Sequence, residues 1–183
     1  MCRFITLEPP LHTSILRRIA FVTGLGLCSI CGVLADDIVV SEQTFSCILD
    51  WPKVRNTYIN NADPEKLKEA IRIFRDDISD TEYPLGTILQ VIPSEAMVKH
   101  QRGTFAKTND WELFALDVSA AGTKITDRGE DVLEAPGVTC LSCHQAARKH
   151  DLVCEKTHGC PPIPVGDQKI AELQQADPRC AKK

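Results

Sequence analysis

An α+β fold is what this sequence predicts, and three observations predict it. Leu67, Ala70, Ile71, Phe74 and Ile78 recur at helical spacing, with Glu, Lys and Arg on the opposite face. Residues 86–92 and 111–118 are mostly apolar stretches of strand length. A glycine-containing turn at Ala120 to Gly122 then leads into residues 123–126, so the second strand is expected to fold back as a hairpin.

The 183-residue chain opens with a segment that stands apart from the rest. Arg17 and Arg18 precede an uncharged run over residues 19–35, which ends in the small residue Ala35. A positive flank, an apolar core and a small-residue exit are the parts of a secretory signal peptide. The run is short for a membrane span and contains Gly24, Gly26 and Gly32, although an uncleaved anchor is the other reading of it. Residues 1–35 are therefore expected to be a leader and residues 36–183 a single domain, periplasmic or secreted and not membrane-embedded. The formal net charge is −4, and removing Arg3, Arg17 and Arg18 against Glu8 makes the mature chain more acidic. Without a basic stripe the chain is a poor candidate for nucleic-acid binding, whereas a basic redox protein would suit its charge.

Asp63-Pro64 supplies a helix cap followed by proline at the first helical position. Tyr83-Pro84-Leu85-Gly86 ends the helical pattern before the first strand. Residues 127–137 are polar and turn-rich. Pro161-Pro162-Ile163-Pro164 closes the domain, and the residues after it read as a polar tail.

The most specific stretch is Cys140-Leu141-Ser142-Cys143-His144, a C-x-x-C-H. Two thiols on one turn can each bond to a haem vinyl group, and the adjacent imidazole can ligate the iron. This is the attachment signal for haem c. Cys140, Cys143 and His144 are thus the predicted cofactor-binding residues, with His144 the axial ligand. A zinc knuckle built from Cys140, Cys143, Cys154, His158 and Cys160 is the alternative use of the same residue types. Four further cysteines of the mature chain (Cys47, Cys154, Cys160 and Cys180) are even in number and suit an oxidising compartment. Three pairings are open, and Cys154 with Cys160 plus Cys47 with Cys180 is the expected one.

Small electron-transfer cytochromes carry the motif near the mature N-terminus, with a ligating Met well downstream. Here the motif lies late in the chain, and the only mature Met, Met97, lies upstream. The layout resembles the cytochrome P-460 family, which includes the cytochromes c-prime-beta. The resemblance is carried by residues 83–87 entering a strand, 105–114 leading into Trp111-Glu112-Leu113-Phe114, and 140–153. It covers residues 83–164 and implies an antiparallel β-sheet with flanking helices, a C-terminal covalent haem c with a His proximal ligand, a vacant distal site in many members, and a homodimer. Family members that oxidise hydroxylamine cross-link a strand Lys to the porphyrin. The matching strand here, residues 86–92, has no Lys, and Lys99 and Lys107 fall outside the aligned position.

Candidates for a second axial ligand are Met97, His100, His150 and His158. Phe105, Trp111 and Phe114 are candidates for an apolar distal wall, and Glu95, Asp110 and Asp151 are the available carboxylates. The functional expectation is redox chemistry or the binding of a small nitrogen-oxide or gaseous ligand at the haem. An oxidoreductase acting on hydroxylamine or nitric oxide is one form of it. The alternatives are a periplasmic electron-transfer cytochrome and a secreted zinc- or disulfide-stabilised module.

Overall fold

The computed structural model describes residues 38–180. The expected leader therefore lies outside the described residues. Six strands form one antiparallel sheet in sequence order: β1 Lys53–Val54, β2 Thr57–Asn60, β3 Ile88–Gln90, β4 Glu95–Lys99, β5 Trp111–Ser119 and β6 Gly122–Gly129. Helix α1, Pro64–Arg75, is inserted between β2 and β3. A small ribbon of β7 Leu133–Ala135 and β8 Val138–Thr139 follows, then helix α2 Cys140–His144, a 3₁₀ segment Gln145–His150 and helix α3 Asp167–Gln175. An antiparallel sheet with helices is thus observed, of the α+β class. Among the described residues no helix is long and apolar enough to cross a membrane.

Helix α1 begins where expected. The Asp63 carboxylate accepts from the N–H groups of Glu65 and Lys66, which would otherwise lack partners at the first turn. It buries Ala70, Ile73 and Phe74, while Leu67 and Ile71 pack at the margin. Ile78 lies beyond the helix end but still packs against the same core. The expected hairpin is β5 and β6, with Ser119 opposite Gly122. Part of the region expected to be turn-rich continues β6 as far as Gly129.

Strand β5 is apolar almost without alternation because both faces of the sheet are covered. Trp111 and Leu113 join α1, Leu89, Met97 and Leu141 in one core. Phe114 and Leu116 point the other way, into a second core with Phe45, Ile48, Trp51 and Val98. This corrects the expected distal wall, since Trp111 and Phe114 lie on opposite faces and cannot line one pocket. Phe105 instead packs edge-on against His100, with ring centroids 4.9 Å apart.

The expected polar tail is a second correction. Helix α3 buries Ile170 and Gln174. The Gln174 amide donates to the carbonyls of Asn56 and Val91, and its oxygen accepts from Lys53 Nζ at 2.6 Å. Asp177 accepts from the Ile48 N–H and pairs with Arg179 in a buried contact. Polar anchors rather than an apolar stripe dock this helix, so hydropathy alone does not reveal it. Cys47–Cys180 fastens its end to the start of the domain, and Cys154–Cys160 closes a short loop. Both disulfides are the expected pairs.

A buried ion pair joins the sheet to the segment after α2. Lys99 Nζ, at the end of β4, lies 2.8 Å from both carboxylate oxygens of Asp151, and it also donates to the Asn109 carbonyl. Asp151 further accepts from the Tyr83 N–H and the Asn109 amide, while its own carbonyl accepts from Trp111 Nε1. Asp151 and Leu152 are held at φ 54° and 62°, a left-handed backbone that side-chain-bearing residues adopt at a cost.

Lys99→Met should leave the Asp151 carboxylate buried without its cation and cost about 3–5 kcal/mol in urea unfolding. Adding Asp151→Asn should recover part of that loss, and additive costs would mean the pair is not coupled. Replacing Cys47 and Cys180 by Ser opens a loop spanning 133 residues. By loop entropy this should destabilise by up to about 5 kcal/mol, against about 2 kcal/mol for replacing Cys154 and Cys160. Comparing the two urea midpoints checks the order.

Candidate functional site

Cys140, Cys143 and His144 are brought onto one face by helix α2, because positions i, i+3 and i+4 are neighbours on a helix. Thr139 caps this short turn, its hydroxyl accepting from the Ser142 N–H. The Cys140 N–H donates to the Val132 carbonyl and fixes the turn to the end of the sheet. Cys140 and Cys143 are both free thiols, whereas the other four cysteines of the described residues are paired.

His144 is oriented by a backbone group. Its Nδ1 lies 2.7 Å from the Leu152 carbonyl oxygen. A carbonyl only accepts, so Nδ1 carries the hydrogen and Nε2 presents a lone pair. Nε2 has no hydrogen-bond partner among the described residues. Burial holds the imidazole below its usual pKa, with the Leu152 hydrogen bond opposing, so the neutral, metal-binding form is favoured. A ligating histidine commonly has its other ring nitrogen held in this way. Leu152 is in turn positioned by the Lys99–Asp151 pair one residue earlier.

Beside Cys140 lies a cleft of about 230 Å³, bordered by Glu95, Phe114, Val132, Leu133 and Glu134. Glu95 is exposed, yet surrounding protein and then the Glu134 carboxylate push its pKa up to about 7. The Cys140 thiol is pushed up to about 11, by burial first and then by Glu95 and Glu134. Leu133 and Val138, on the ribbon leading into α2, stand 53% and 41% exposed. Leu133 thus leaves apolar surface in water at the cleft that Cys140 borders.

The residues fit a covalent haem: two unpaired thiols on one turn, a neutral imidazole with a fixed tautomer, and apolar side chains at the margin. Cys140 and Cys143 would hold the porphyrin and His144 Nε2 the iron. They do not fit the zinc knuckle, because Cys154 and Cys160 are bonded to each other and His158 turns to Asp77 and the Val153 carbonyl.

None of the four candidate second ligands borders this cleft. Met97 lies in the core beneath α1. His100 Nε2 sits 2.9 Å from Glu112 Oε2, too obliquely for a hydrogen bond. His150 and His158 stack on each other near Asp77. Of the carboxylates, Asp110 accepts from the Gly103 and Phe105 N–H groups, Asp151 belongs to the buried pair, and Glu95 alone is at the cleft. Lys107 pairs with Asp131 at the surface. The Leu152 carbonyl and Glu134 are the site groups that the sequence did not single out. A backbone acceptor leaves no composition signal, and Glu134 sits among turn residues.

Comparison of the chain with protein-family models, with curated proteins and with solved structures returned no match. What the site can do is therefore derived from its own chemistry.

Glu95 keeps its proton to a higher pH in the folded protein than in the unfolded chain. Its contribution to stability is thus full below the unfolded carboxylate pKa and is lost as pH rises through about 7. Glu95→Gln abolishes that loss, so its melting temperature relative to the parent should rise between pH 4 and pH 8.5. Parallel melts followed by circular dichroism check this, and a constant difference would show that Glu95 titrates normally.

Proposed function

We propose that this is an exported c-type haem protein of cytochrome P-460-like type, acting in redox chemistry or in binding a small nitrogen-oxide or gaseous ligand. Cys140 and Cys143 would hold haem c through thioether bonds, and His144 Nε2 would hold the iron. The observation that carries the reading is the His144–Leu152 hydrogen bond beside two unpaired thiols on the same helical turn. It leaves the three groups a covalent haem needs in the required chemical forms. Two disulfides elsewhere in the domain support an oxidising compartment, periplasmic or secreted, where haem c is attached.

Met97, His100, His150 and His158 all lie away from the cleft beside Cys140, which supports a haem iron that would be open to a small ligand. Bound there, the haem would supply an iron that binds small diatomic ligands and exchanges single electrons. The chain's own part is to fix the tautomer of the imidazole through Leu152, to offer the apolar side chain of Leu133 beside Cys140, and to keep at the cleft a carboxyl group, Glu95, whose pKa is pushed up to about 7. Glu95 is thus a candidate to exchange protons with a ligand, as an oxidoreductase acting on hydroxylamine or nitric oxide would require. A homodimer and a redox protein partner go with the family resemblance.

The chain should be expressed with a cytochrome c maturation system and its absorption spectrum recorded oxidised and reduced, with and without nitric oxide. A high-spin ferric spectrum and a ferrous form that binds nitric oxide are expected. His144→Ala should lose the proximal ligand and alter both spectra. A low-spin spectrum indifferent to nitric oxide would contradict the open site and indicate an electron carrier.

A further inference from the structure

Asp77, His150 and His158 converge from three parts of the chain. Asp77 lies in the turn after α1 at φ 56°, His150 ends the 3₁₀ segment after α2, and His158 sits in the loop closed by Cys154–Cys160. One ligand atom from each falls within 4.8 Å of the others.

The hydrogen bonds of His158 define what this place lacks. Its Nδ1 lies 2.5 Å from the Val153 carbonyl oxygen and so carries a hydrogen. Its Nε2 contacts Asp77 Oδ1. A neutral ring would then set a nitrogen lone pair against a carboxylate, which is repulsive, so a positive species must complete the contact. A proton on Nε2 satisfies that pair alone. His150 is stacked on His158 with centroids 3.5 Å apart and planes within 5°, and its Nδ1 is 3.8 Å from the same Asp77 oxygen. A divalent ion satisfies all three groups. Thr157 donates to the other carboxylate oxygen, Oδ2, and leaves Oδ1 facing the two rings.

We propose that Asp77, His150 and His158 form a binding site for one divalent transition-metal ion, for which zinc is suited. Two imidazoles and a carboxylate are donors that zinc takes at about 2.0–2.2 Å, and three protein ligands leave a position for water. The Val153 carbonyl on His158 Nδ1–H is the outer hydrogen bond such a ligand commonly has. Binding parts the touching His158 Nε2 and Asp77 Oδ1 to admit the ion, draws His150 Nδ1 toward it and tilts the largely buried His150 ring out of its stack. The ion would join the end of α1 to the loop whose Leu152 carbonyl orients His144. The site uses none of Cys140, Cys143 or His144 and stands whether or not haem is attached.

The test uses the full exported chain without an affinity tag, with Cys140 and Cys143 blocked by haem or by iodoacetamide so that thiols cannot take the metal. After chelator treatment it is titrated with zinc chloride in a calorimeter, and cobalt(II) is added separately for its visible spectrum. One zinc per chain is expected, with a raised melting temperature. Asp77→Asn and His150→Phe should each weaken binding at least about tenfold, equal to about 1.4 kcal/mol. His150→Phe keeps a flat ring on His158, and Asp77→Asn is isosteric at an exposed position, so at least one should fold. Absence of zinc binding, with both His158 nitrogens protonated by NMR at pH 7, would assign the charge to a proton and overturn the proposal. Zinc held equally well by both variants would place the ion elsewhere and also overturn it.

Discussion

The Lys99–Asp151 pair is the contact on which the arrangement of the site depends. Both side chains are almost fully buried, and burying two charges costs several kcal/mol per ion unless each is well partnered. Here they are. Lys99 meets both carboxylate oxygens and the Asn109 carbonyl, while Asp151 also receives the Tyr83 N–H and the Asn109 amide. Burial raises the Asp151 carboxyl above its ordinary pKa, with Lys99 pulling the other way. These bonds hold two successive left-handed residues, and the chain reverses there.

The reversal places two adjacent carbonyls where two imidazoles need them. Leu152 receives His144, and Val153 receives His158. One rigid turn therefore sets the tautomer of both rings and leaves both Nε2 atoms to other partners. The proposed haem ligand and the proposed zinc ligand share a single structural cause, although their first partners are separate. The sheet supplies the foundation, since β4 carries Lys99 and the first residue of β5, Trp111, closes the node from the same face.

Features encoded by neighbouring residues were legible in the sequence. Asp63-Pro64 and the stripe after it define α1, and the Gly122 turn defines the β5–β6 hairpin. Counting cysteines left four for disulfides once Cys140 and Cys143 were set aside for the motif; it left three pairings open, of which the expected one is observed. Features encoded by distant polar pairs were not. Gln174 and Asp177 dock α3 through hydrogen bonds 83 to 129 residues away in the chain, with only Ile170 as a buried apolar anchor. Lys99 stands out in the sequence only as a lysine outside the aligned cross-link position, whereas it is the cation of the central pair. Trp111 and Phe114 differ by an odd number of positions, which on a strand means opposite faces. The aromatic run itself hid that, because a sheet covered on both sides loses its alternation.

The central claim is that Cys140 and Cys143 are spent on a porphyrin. The most direct measurement is the intact mass and haem content of the exported chain after denaturation in acid acetone, which extracts haem that is not covalently bound. The account predicts one haem per chain remaining on the polypeptide, lost when Cys140 and Cys143 are both replaced by Ser. A chain without haem, with Cys140 and Cys143 joined to each other, would contradict it.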